Sequence, residues 1–229
     1  MYNAMKPRIF FLLWLLWAGV FPVFAQNDGI QFNVLRLAQD GVPQSVADAL
    51  DVKLKSILTR NGAASANNSN VFAIEPVLET DEPLSAEGVM QQVTLIRGEL
   101  TLLVKNRVDG SLYYSLTVPL KGHSDGNREK ALKSMVDGIK VSDVRYTRFV
   151  RVARQKIDDY YAANCATILI KAKSLFDTGR YAEAMSYLSA VSEALPCYEQ
   201  AAVMMAEMKA SQPQPRDTIV VRRRVPAGE

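Results

Sequence analysis

Between residues 93 and 122 the chain reads "VTLIRGELTLLVKNRVDGSLYYSLTVPLKG", two alternating arms around an Asp-Gly pair. In the second arm Leu112, Tyr114, Leu116, Val118 and Leu120 alternate with Ser111, Tyr113, Ser115, Thr117 and Pro119, which predicts a strand with one apolar face. In the first arm Ile96, Leu100, Leu102 and Val104 share a parity. A two-residue Asp109-Gly110 turn would set Val104 opposite Ser115 and place apolar against polar, so the pattern selects an odd loop. A loop of Val108, Asp109 and a left-handed Gly110 sets Val104 opposite Tyr114 and Leu102 opposite Leu116.

Upstream, "IQFNVLRL" predicts a first strand, and a helix follows with Val46, Leu50, Leu54, Ile57 and Leu58 on one face, Pro43 in its first turn and Asn61-Gly62 ending it. "VFAIEPVLE" predicts a second strand interrupted at Pro76, which belongs at an edge or a bulge. Downstream, Asn127 caps a helix whose stripe is Ala131, Leu132, Met135, Val136 and Ile139. This order predicts an α+β domain over residues 26–142, a mainly antiparallel sheet with two packed helices. Residues 143–211 are helical in period throughout: one long helix or two joined near Asn164 up to 178, then helices at about 181–195 and 197–210. The proline-containing residues 212–229 read as a flexible tail, with "TIVV" suited to adding as a strand to another sheet and "RRR" suited to an acidic surface.

The first 25 residues change the picture of compartment. Lys6 and Arg8 precede an apolar run, and Val23-Phe24-Ala25 fits a signal peptidase site, so cleavage after Ala25 and export to the periplasm or beyond are expected; the alternative is an uncleaved anchor. Loss of Lys6 and Arg8 from the 27 basic residues leaves a near balance with 24 acidic ones, which gives no general pull toward nucleic acid. At 229 residues and 48% hydrophobic, the chain can bury a sizeable core.

Residues 165–196 resemble a tetratricopeptide repeat. The resemblance rests on Ala172, Gly179 and Tyr181 at the turn, Ala184, Leu188 and Pro196; Ile168 and Val191 depart from the family's pattern. It implies an all-α helical hairpin that binds proteins, and a lone repeat must lean on the α+β domain, the preceding helix or another chain. In such a hairpin the end of the second helix lies beside the start of the first, where Cys197 and Cys165 fall. A disulfide is expected in an exported chain, the alternative being two buried thiols.

Catalytic and cofactor chemistry is absent from the pattern. His123 is the only histidine, and with Ser124 and Asp125 beside it on a connector it cannot form a triad. No metal-ligand spacing and no phosphate-cradling glycine run are present, so no cofactor is expected. Arg145, Arg148, Arg151 and Arg154 recur as a basic stripe, either a solvated face or a contact with an anionic envelope surface. With Tyr187, Tyr198 and Met204 they form the candidate surface for a protein partner, the alternative being that these residues belong to the core.

By element order, the α+β part also resembles envelope domains of the curli-secretion CsgG family and of the lipoprotein activators of penicillin-binding proteins. That resemblance implies a homo-oligomer or an activator of a cell-wall synthase, although the lipid-anchor cysteine is missing. Three readings follow: an exported non-enzymatic adaptor, an envelope assembly or regulatory factor, and an enzyme acting on an envelope polymer.

Overall fold

The computed structural model describes residues 29–87 and 92–211; the leader at 1–25 and the tail at 212–229 lie outside the described residues. The elements run β1 (Asn33–Val34), α1 (Gln44–Arg60), β2 (Phe72–Thr80), β3 (Leu84–Glu87), β4 (Gln92–Asn106), β5 (Leu112–Asp125) and α2 (Arg128–Asp137). Four further helices follow: α3 (Val144–Ala163), α4 (Cys165–Asp177), α5 (Tyr181–Ser189) and α6 (Tyr198–Ser211). The fold is α+β, a mostly antiparallel sheet with helices packed on it and a helical extension.

β4 is the spine of the sheet. β2 pairs with its residues 98–106 and β3 with residues 92–95 along one edge, while β5 takes the other edge and β1 adds parallel to β2. Val104 faces Tyr114 and Leu102 faces Leu116, as the parity predicts, and Gly110 has φ 73. One feature departs from the pattern: Lys105 pairs with Leu112 after Val104 pairs with Tyr114, so Tyr113 is the extra residue of a bulge. The bulge turns Tyr113 inward against Phe72 and Tyr160, at centroid distances of 5.9 and 5.3 Å. Leu112, expected on the apolar face, is consequently 57% exposed.

The two strand prolines obey the ladder. Asn106 N donates to Ser111 O, and Asp81 N donates to Arg97 O, so even residues of β4 aim their backbone groups at β5 and odd ones at β2. Pro76 pairs with Leu102 and Pro119 with Glu99, which turns each missing N–H away from β4. β2 therefore runs unbroken through Pro76, contrary to the expected interruption, because no ladder bond is lost there. His123 likewise lies within β5 and is exposed, rather than on a connector.

α1 buries Val46, Leu50, Leu54, Ile57 and Leu58 as its spacing predicts, and the Asn127 side chain caps α2 by accepting from Lys130 N at 3.0 Å. α2 crosses β5 at Gly122, where an added Cβ would stand 2.1 Å from Ala131 O and 2.7 Å from Met135 N. α3 covers the neighbouring part of β5, with Phe149 stacked on Tyr114 at 5.7 Å.

α3 and α4 are separate helices divided at Asn164, which resolves the two alternatives. α4 and α5 form an antiparallel hairpin. Gly179, at φ 80, donates to Phe176 O while Arg180 N donates to Leu175 O, the paired bonds of a Schellman turn. α5 stops at Ser189, earlier than the expected 195: Val191 turns into the core and Pro196 bars a helix from running through this connection. Cys165 and Cys197 are disulfide-bonded with their Cα atoms 5.8 Å apart, tying the start of α4 to the residue before α6. One cluster of buried side chains continues from the sheet and its helices into α4 and α5.

Candidate functional site

The predicted partner residues do not form one surface. Tyr187 is 1% exposed and belongs to the core, which corrects its assignment to a contact face. Its hydroxyl accepts from Asn106 Nδ2 at 2.6 Å and donates to Asp109 Oδ2 at 3.4 Å, welding α5 to the β4–β5 loop. Burial, with Asp109 beside it, raises the Tyr187 hydroxyl well above the ordinary tyrosine range. Burial works to raise the Asp109 carboxyl too, but hydrogen bonds from Lys171 and Ser111 outweigh it and hold it below its ordinary value. One residue along from Tyr187, Ser186 Oγ accepts from Val71 N at 3.0 Å, a second tie to the sheet.

The arginine stripe divides. Arg145 is held by Asp143, the cap of its own helix, at 2.8 Å. Arg154 is half-buried and structural: its Nε donates to Ile30 O at 2.9 Å and its Nη2 to Gly62 O at 2.6 Å, clamping α3 to the chain on both sides of α1. Arg148 and Arg151 are exposed and have no ion pair among the described residues.

Tyr198 and Met204 sit half-buried on α6, the least partnered element. α6 carries "AAVMMAEM" at 201–208, apolar around most of its circumference, yet only Ala201 and Met208 are buried. Val203 is 60% exposed, and Met204 and Met205 are only half-buried against the core. An all-round apolar helix ordinarily lies inside a protein, and flexible methionine side chains suit contact surfaces. Further apolar exposure comes from Ile170 on α4, 69% exposed.

Beside the start of α6 lies a cleft of about 720 Å³. Its walls are residues 29–31, the approach to β2, the Arg154–Asp158 turn of α3 and the α5–α6 connection. Asn70 and Ser186 at its floor are spent on internal bonds, Asn70 Nδ2 donating to Gln31 O at 2.6 Å. Asp158 is half-buried without a hydrogen bond or ion pair among the described residues; burial and neighbouring Asp159 raise its carboxyl, partly offset by Arg154. Sequence reading missed this cleft because four separated segments build it and none carries a motif.

Among the described residues no cluster of three or more His, Cys, Asp and Glu could hold a metal, and no helix is long and apolar enough to cross a membrane. The fold and these surfaces define a class: an α+β domain with a disulfide-tied helical extension.

No protein-family model matches the chain, and no curated protein matches it in sequence. Among solved structures it is similar to a minor lipoprotein of Acinetobacter baumannii, at 16% identity and TM-score 0.33 over 56% of this chain and 93% of that one. A candidate lipoprotein of Caulobacter crescentus aligns at 12% identity and TM-score 0.28, over 55% and 83%. A candidate homologue of the neuraminyllactose-binding haemagglutinin from Helicobacter pylori aligns at 12% and 0.26, over 56% and 81%. Likeness at this level does not establish a common fold or function.

Proposed function

We propose that the protein is an exported, non-enzymatic interaction protein of the bacterial cell envelope that receives a protein partner on α6. The observation that carries this reading is the uncovered apolar flank of α6 around Val203, Met204 and Met205. Helical hairpins of the tetratricopeptide kind bury such a flank against the next pair of helices, and among the described residues no next pair follows. The leader pattern and the disulfide support an oxidising compartment outside the cytoplasm.

In-cell crosslinking followed by purification of a tagged copy tests the reading. Recovery of one envelope protein, lost in Val203→Glu at an unchanged melting temperature, is the expected result; Val203 is exposed enough to accept the charge without unfolding. Recovery of self-crosslinked chains alone would replace the adaptor with a homo-oligomeric assembly factor. Partner capture that survives Val203→Glu and Met205→Lys would remove α6 from the account.

A further inference from the structure

Beyond the protein partner, we propose that the cleft beside the start of α6 is a binding site for a carbohydrate. Its volume, about 720 Å³, falls inside the roughly 300–1,000 Å³ typical of small-molecule sites. Donors and acceptors of both kinds remain uncommitted there among the described residues: the Asp158 carboxylate, Glu193 Oε2, the Ser192 hydroxyl, the Gln31 amide and Asn67 Nδ2, while Asn67 Oδ1 accepts from Ser69 N and Glu193 Oε1 from the Tyr198 hydroxyl. Sugar hydroxyls donate and accept at once, so a mixed set of this kind suits them better than it suits a ligand of single polarity.

The charges narrow the choice. Two carboxylates face one guanidinium, that of Arg154, whose Nε and Nη2 already serve Ile30 and Gly62. An anionic ligand would meet net repulsion. A cationic one would meet Arg154 beside the most buried carboxylate, Asp158. A neutral, hydroxyl-rich ligand escapes both penalties. Tyr198, half-buried on the rim with its hydroxyl 3.5 Å from Glu193 Oε1, supplies an aromatic face for the apolar side of a pyranose ring. Cys197, the residue before Tyr198, is disulfide-bonded to Cys165, which fixes this wall.

The test exposes tagged protein lacking the leader to an array of immobilised neutral and acidic oligosaccharides, followed by titration calorimetry with the strongest glycan. Binding is expected to weaken at least tenfold in Asp158→Asn and in Tyr198→Ala at unchanged melting temperature. Amide shifts in the unmodified protein on adding that glycan should cluster at 154–158 and 189–198, which needs no variant to fold. No binding on the array, binding indifferent to both substitutions, or tighter binding of tetralysine than of any glycan would overturn the proposal. Val203→Glu should leave glycan binding intact, so this site and the α6 reading stand or fall separately. Release of shortened oligosaccharides would keep the carbohydrate site and overturn the non-enzymatic reading.

Discussion

Tyr187 and Tyr161 are both buried tyrosines at the junction of sheet and helices, and their hydroxyls have opposite fates. Tyr187 takes a 2.6 Å bond from Asn106, whereas the Tyr161 hydroxyl is buried without a hydrogen-bond partner among the described residues, its ring 5.8 Å from that of Phe72. A satisfied buried hydroxyl contributes about 0.5–1.5 kcal/mol, and its loss also strands the group it served. Tyr187→Phe is therefore expected to lower the urea unfolding free energy by about 1–2 kcal/mol, because Asn106 Nδ2 keeps only the 3.4 Å contact with the Tyr113 hydroxyl. Tyr161→Phe removes an unpaired polar atom and should change stability by less than about 0.5 kcal/mol, or raise it. Equal losses in the two variants would refute this assignment. The sequence could not separate these tyrosines: both lie on apolar helical stripes, and the partner that distinguishes Tyr187, Asn106, is 81 residues away at the end of β4. The same distance explains why the sequence alone leaves Tyr187 open between a contact surface and the core.

Elements were legible where a period had one meaning. The helical stripe of α1 and the strand parity of β4 and β5 each allow one buried face, and the register of Val104 with Tyr114 follows from that parity. The bulge at Tyr113 left no mark, because an inserted residue alters pairing without altering composition, and Leu112 was misplaced as a result. β3 is short and polar, "LSAE", and reads as no strand at all until β4 is there to pair with it. Gly122 shows a constraint between elements that the pattern hides. In sequence it only ends the β run, but in the fold it lets the backbone of α2 touch β5, with Ala131 O 2.1 Å from the site of a Cβ. Both sides of that contact include backbone, so no side chain can swing away. Gly122→Ala should push α2 off the sheet and destabilise by roughly 1–3 kcal/mol, as overpacking does. An Ala variant with the wild-type denaturation midpoint would show that α2 does not rest on β5 at this point.

At the scale of the molecule, the hydrophobic period becomes helical throughout after residue 142, whereas packing ignores that boundary. α3 stacks Phe149 on Tyr114 of the sheet, Ser186 and Tyr187 of α5 bond Val71 and Asn106, and the buried cluster is continuous across all of them. A lone helical hairpin has too little core to stand by itself, so its stability is borrowed through these contacts. The consequence is one cooperative transition: calorimetric and van't Hoff enthalpies of unfolding should agree, and signals from the helices and from the sheet should melt together. The disulfide acts on the same unit. It spans 32 residues of sequence, for which the loss of unfolded-chain entropy stabilises by about 3–4 kcal/mol. Replacing both Cys165 and Cys197 with Ser should lower the single melting transition as a whole, because the Tyr187 and Ser186 bonds still hold the hairpin to the sheet. Appearance of a separate, earlier transition in that variant would mean that the helical part is attached chiefly by its own staple and that the shared core is weaker than its continuity implies.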